Sequence, residues 1–125
     1  MAFRKVLHID DDEDDLDFFS TSVLQLDPDI ECISLSSATE ALDKITAMEL
    51  APDIIFLDLN MPVMTGFQFL EEIQKFPLES VPIVVLSTCS LRETVDKVLE
   101  SGGTAYLTKP NSTKELIQLI KPFLK

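Results

Sequence analysis

One alternation constrains this chain more than any other feature: short apolar runs rich in β-branched residues take turns with longer segments of helical period. The strand-like runs are Lys5–Asp10, Ile30–Leu35, Asp53–Asp58, Val81–Ser87 and Ala105–Leu107. The helical segments are Asp14–Leu26, Ala38–Leu50, Gly66–Lys75, Leu91–Ser101 and Thr113–Lys121. A hydroxyl precedes Glu or Gln by three residues at the head of four helices: Ser37/Glu40, Thr65/Gln68, Ser90/Glu93 and Ser112/Glu115. That spacing lets side chains satisfy helix donors that otherwise have no partner, so cap and period agree. Strand and helix in strict succession predict right-handed crossovers and a parallel sheet covered on both faces. The runs Ile54-Ile55-Phe56-Leu57 and Ile83-Val84-Val85-Leu86 are continuously apolar, as central strands buried on both sides should be. Pro122 carries no N–H and clashes with the preceding turn, so the last helix is expected to kink or end near it. Residues 1–125 read as one doubly wound α/β domain without linker or repeat.

Charge narrows the function. Asp and Glu number 22 against 10 Lys and Arg, a formal net charge of −12, and seven of the acids fall within residues 10–17. Such a chain lacks the basic footprint of a nucleic-acid binder and is repelled by anionic membrane surfaces. No apolar run approaches the ~20 residues of a membrane-spanning helix. The N-terminus passes into a strand without the architecture of a signal peptide. Cys32 and Cys89 form no metal-spaced pair. A soluble cytoplasmic protein is the expectation.

In sheets of this kind ligands bind outside the carboxyl ends of the strands, so polar residues there are the informative ones. Strand 1 ends in Asp10-Asp11, strand 3 in Asp58 and strand 4 in Ser87, while Lys109-Pro110 follows strand 5. Three carboxylates brought together suppress one another's ionisation unless a cation compensates. Mg²⁺ suits such a site, because it takes a few oxygen ligands from the protein and leaves positions for water or phosphate. Lys109 adds a point charge for an anionic group.

These residues resemble the receiver domains of two-component response regulators, a CheY-like family. The resemblance spans the chain and rests on Asp10-Asp11, on Asp58-Leu59-Asn60-Met61-Pro62 followed by Gly66, and on Ser87, Tyr106 and Lys109-Pro110. It implies a flavodoxin-like (βα)5 sheet of strand order 2-1-3-4-5. It implies that Asp58 is the phosphoacceptor and that Asp11, Asp58 and the backbone carbonyl of Asn60 hold Mg²⁺. Asp10 then assists through water and orients Lys109, Ser87 bonds a phosphoryl oxygen, and Tyr106 swings inward in response. Family members usually have Thr where Ser87 stands and a cis bond at the position of Lys109–Pro110. Asn60 and Cys89 occupy positions that tune dephosphorylation in the family.

Simpler roles compete at several positions. Acids at a helix start complement its dipole, which accounts for Glu13, Asp14, Asp15 and Asp17. An EF-hand fails for want of its glycine and terminal Glu. His8, between Leu7 and Ile9 inside strand 1, reads as structural, and Met61 and Met64 as apolar loop packing. The expected function is a stand-alone receiver, phosphorylated on Asp58 by a histidine kinase or histidine phosphotransfer protein. Its output passes to a protein partner through helix 4, strand 5 and helix 5, or by handing the phosphoryl group on in a phosphorelay. A phosphatase with Asp58 as nucleophile is the rival from another class. Enzymes of the haloacid-dehalogenase kind place a second Asp two residues on, where this chain has Asn60.

Overall fold

The structure is a computed structural model that describes residues 4–59, 61, 63–76, 81–88 and 91–124. Strands and helices alternate: β1 (Lys5–Ile9), α1 (Glu13–Leu26), β2 (Glu31–Leu35), α2 (Ala38–Thr46), β3 (Ile54–Leu57), α3 (Gly66–Ile73), β4 (Ile83–Ser87), α4 (Arg92–Glu100), β5 (Ala105–Thr108) and α5 (Thr113–Leu124). The sheet is parallel throughout, in the order β2-β1-β3-β4-β5.

The pleat sorts the apolar runs into two cores. Val6, Ile54, Phe56, Val84 and Leu86 pack with Phe19 and Val23 of α1 and with Leu116, Ile120 and Leu124 of α5. Their neighbours Leu7, Ile9, Ile55, Leu57, Ile83 and Val85 pack with α2, α3 and Val98 of α4. A period of two thus feeds both faces from one uninterrupted hydrophobic run. Burying each large apolar side chain contributes ~1.5–3 kcal/mol, so the central strands carry most of the adhesion.

Three helix ends depart from the sequence expectation. α2 stops at Thr46 rather than Leu50, because Met48 adopts a left-handed φ of 62°. The Met48 N–H donates to the Ile45 carbonyl at 3.1 Å and the Glu49 N–H to the Lys44 carbonyl at 2.9 Å, closing a Schellman motif. α5 runs through Pro122 to Leu124 instead of ending near it. Pro122 withholds only one late donor, and packing outweighs that loss: Leu124 is buried and the Phe123 ring meets Phe56 edge-on at 6.4 Å. α4 begins with Leu91 at its cap, which offers no side-chain oxygen. Ser90, the expected cap, lies outside the described residues. The other caps form, with Ser37, Thr65 and Ser112 hydroxyls accepting from Glu40, Gln68 and Glu115 N–H groups.

Candidate functional site

The sheet topology brings the carboxyl ends of β1, β3, β4 and β5 side by side, with Ile9 in register with Leu57 and Ser87 with Thr108. Backbone bonds then fix each site residue. The Asp10 N–H donates to the Leu35 carbonyl at 3.1 Å, the Asp58 N–H to the Ile9 carbonyl at 2.9 Å, and the Lys109 N–H to the Ser87 carbonyl at 2.8 Å. Asp10, Asp58 and Ser87 are buried, Asp11 is exposed and Lys109 is half-buried. Gly66 is required here by space: a Cβ would stand 2.5 Å from the Asp58 carbonyl oxygen and 2.7 Å from Leu59 Cα. Glycine therefore lets α3 start hard against the strand that carries Asp58.

The carboxylates of Asp10, Asp11 and Asp58 each offer an oxygen within 4.8 Å of the others. Three hard oxygen donors at that spacing fit a small divalent cation such as Mg²⁺. Lys109 stands beside them. Its Nζ donates to Asp10 Oδ2 and Asp15 Oδ2, both at 2.8 Å, and lies 3.7 Å from Asp58 Oδ1. Burial works to discharge the ammonium. The bonds to Asp10 and Asp15, with the nearby charge of Asp58, outweigh it and hold Lys109 above its usual range. Asp10 titrates above the ordinary carboxylate range, because burial outweighs the help of Lys109 and of the Asp12 N–H, which donates to Oδ1 at 3.0 Å.

Around this centre, Tyr106 is half-buried against the α2–α3 core. His8 is buried with its ring 4.1 Å from that of Phe19, and burial, followed by the charge of Lys109, lowers it to about 3. In the loop after β3, Val63 is fully out in solvent and takes a left-handed φ of 67°, a costly conformation for a β-branched residue. Met61 is buried against the core, and Met64 packs beside it.

A family model for the response regulator receiver domain matches residues 6–121. The chain belongs to that family. Among curated relatives, a protein-glutamate methylesterase/protein-glutamine glutaminase of Sulfurimonas denitrificans is 39% identical over 110 residues. A second such protein, from Carboxydothermus hydrogenoformans, is 33% identical over 115 residues. These alignments take in 79% and 82% of this chain but only 30% and 31% of those proteins, so the chain spans about a third of their length. Among solved structures, the phosphorylated cyanobacterial phytochrome response regulator RcpA superposes with a TM-score of 0.86 at 26% identity, covering 98% of this chain and 91% of that one. The Mn²⁺-bound response regulator Rcp1 gives 0.87 at 26%, covering 98% and 95%. Chemotaxis protein CheY4 of Vibrio cholerae gives 0.82 at 30%, covering 97% and 98%.

The receiver brings together the residues singled out from sequence: Asp10, Asp11, Asp58, Ser87 and Lys109 all stand at the carboxyl edge. Asn60, Pro62 and Cys89 lie outside the described residues. One expectation needs correction and a second needs extending. The Lys109–Pro110 bond is trans, as no described peptide bond is cis. Trans is the lower-energy isomer by ~0.5–1 kcal/mol even before proline. Asp15 does stand in the first turn of α1, as its assignment to the helix dipole requires, but it is also a direct partner of Lys109, equal in distance to Asp10. Asp12 caps α1, so Asp15 sits in the first turn, where a side chain can lean back toward the strand ends.

Proposed function

We propose that this receiver is a switch that takes a phosphoryl group onto Asp58. A carboxylate oxygen of Asp58 attacks phosphorus, the bond to the donor's histidine nitrogen breaks, and that nitrogen recovers a proton from solvent. An acyl phosphate remains on Asp58. Phosphoryl transfer asks for positioning and charge neutralisation more than for acid–base chemistry, and the chain's own residues meet that demand. Lys109, always charged and aimed by Asp10 and Asp15, meets the developing negative charge on the phosphoryl oxygens. Ser87, buried at the end of β4, donates its hydroxyl to another of those oxygens. Mg²⁺, held by Asp11 and Asp58 with Asp10 assisting, would supply the remaining neutralisation.

The observation that carries this reading is the ammonium of Lys109 standing 3.7 Å from the buried Asp58 carboxylate inside a three-acid cluster. A phosphorylated relative and a Mn²⁺-bound relative with the same fold support it. The added charge of roughly −1.5 to −2 then biases Ser87 and Tyr106. Output runs through a protein partner on the face of α4, β5 and α5, where Leu91 and Leu99 are exposed. The phosphodonor is a histidine kinase or histidine phosphotransfer protein, and the setting is the cytoplasm. No helix among the described residues is long and apolar enough to cross a membrane. Incubation with Mg²⁺ and a small-molecule phosphodonor should add one phosphoryl mass to the wild type and none to Asp58→Asn. Rapid repeated hydrolysis of a phosphate ester would favour the phosphatase instead.

A further inference from the structure

Beside the phosphorylation site, between the start of α1, the ends of β1 and β4 and the segment leading into α5, lies a cavity of about 400 Å³. Asp11, Asp58 and Ser87 are not among its walls. Phe18, Phe19, Leu86 and Leu116 give it an apolar floor, and Asp14, Asp15 and Lys109 are among its polar lining. His8 lines it too. That side chain is 1% exposed, and among the described residues neither ring nitrogen has a hydrogen-bond partner. Its Nε2 stands 3.8 Å from Asp10 Oδ2, beyond bonding distance.

A buried imidazole with both nitrogens unmet is costly, at ~1–3 kcal/mol for each such group. The volume falls within the ~300–1,000 Å³ range of pockets that hold small organic ligands, and an apolar lining with a few polar groups is their usual construction. The charge of the lining selects the ligand. Asp10, Asp14 and Asp15 contribute three carboxylates against one ammonium, and that ammonium is already engaged by Asp10 and Asp15. Anions are therefore disfavoured, and a flat cation can lay its ring on the half-buried Phe18 while its N–H groups face the acids.

We infer that this cavity binds a small planar aromatic cation, with His8 completing the polar contacts at its buried end. The inference concerns binding alone and does not depend on phosphorylation of Asp58. Benzamidine titrated into the Mg²⁺-free protein, where the carboxylates keep their excess charge, tests it, with NMR signals of the His8 ring and of Phe18 and Phe19 as readout. Saturable shifts at those rings are expected, and benzoate, of similar shape and opposite charge, should produce none. His8→Leu should weaken benzamidine roughly tenfold, the effect of one lost buried hydrogen bond. Asp14→Asn, at an exposed position that leaves the core untouched, should weaken it severalfold and decides the matter if His8→Leu does not fold. Absence of a saturable shift, equal binding of benzoate, or unchanged affinity in the folded variants would overturn the site.

Discussion

The two halves of the carboxyl edge are built to different standards. Around β1 and β5 everything is tied: Asp12 caps α1 by accepting from the Asp14 and Asp15 N–H groups, its own N–H holds Asp10, and Lys109 is clamped between Asp10 and Asp15. Around β3 and β4 the described residues are mixed: α3 opens with a complete capping box between Thr65 and Gln68, but two other positions are locally poor. Val63 sits exposed with a left-handed backbone, and α4 starts at Leu91 without a side-chain cap. In the proposed reaction the tied half presents a fixed charge to the phosphoryl group. The second half, looser at Val63 and at the start of α4, is where we place the conformational response of the proposed switch.

The largest expected effect comes from breaking the tied half at its centre. Lys109→Ala should slow phosphoryl uptake by about a hundredfold at saturating Mg²⁺, the usual consequence of losing one charged donor to a transferring group. It should also uncouple partner binding from the phosphoryl group that is still taken up. Initial rates of mass gain and a binding assay check both, and full partner binding by the phosphorylated variant would refute the role. Asp15→Asn leaves Asp10 as the charged anchor nearest Lys109 among the described residues, so a smaller loss of roughly fivefold is expected in the same rate, worth ~1 kcal/mol. An unchanged rate would mean that Asp15 serves only the helix start.

On the loose half the sign reverses, because repair should stabilise. Leu91→Asp supplies the missing cap and should raise unfolding free energy by about 1 kcal/mol. Val63→Asn relieves a left-handed β-branched residue and should add a similar or slightly smaller amount, on the order of 1 kcal/mol. Denaturant titration reads both, and destabilisation by either would contradict the assignment of poor local chemistry. Cys32, half-buried on edge strand β2, offers a control away from both halves. Burial raises its thiol to about 11, outweighing a hydrogen bond from Ser34 that pulls it down. Its alkylation near pH 8, followed by peptide mapping, should therefore run roughly a hundredfold slower than that of an ordinary thiol and rise tenfold per pH unit. None of the site substitutions should change that rate.

The halves also differ in how far their residues could be read from sequence. Asp10, Asp58, Ser87 and Lys109 were legible because strand ends are where such sheets bind ligands, and each follows an unmistakable apolar run. Asp15 was hidden by a sufficient explanation, since an acid in a first helical turn needs no further reason. The early end of α2 was invisible because Met48, not glycine, takes the left-handed position. Pro122 misled in the opposite direction, since the sequence shows the lost donor but not the packing of Phe123 and Leu124 that carries α5 past it. Gly66 was visible as part of a motif, but its reason, that a Cβ there would stand 2.5 Å from the Asp58 carbonyl oxygen, is a tertiary fact.

The most direct test is an amide NMR comparison of the Mg²⁺-bound protein with and without beryllofluoride, a stable phosphoryl mimic, in the wild type and in Asp58→Asn. The wild type should show saturable shifts concentrated in residues 59–66, 87–92 and around Tyr106, with small changes at Asp12–Asp15, and Asp58→Asn should show none. Equal shifts in both proteins, or a response centred on β1 and the start of α1, would contradict the account.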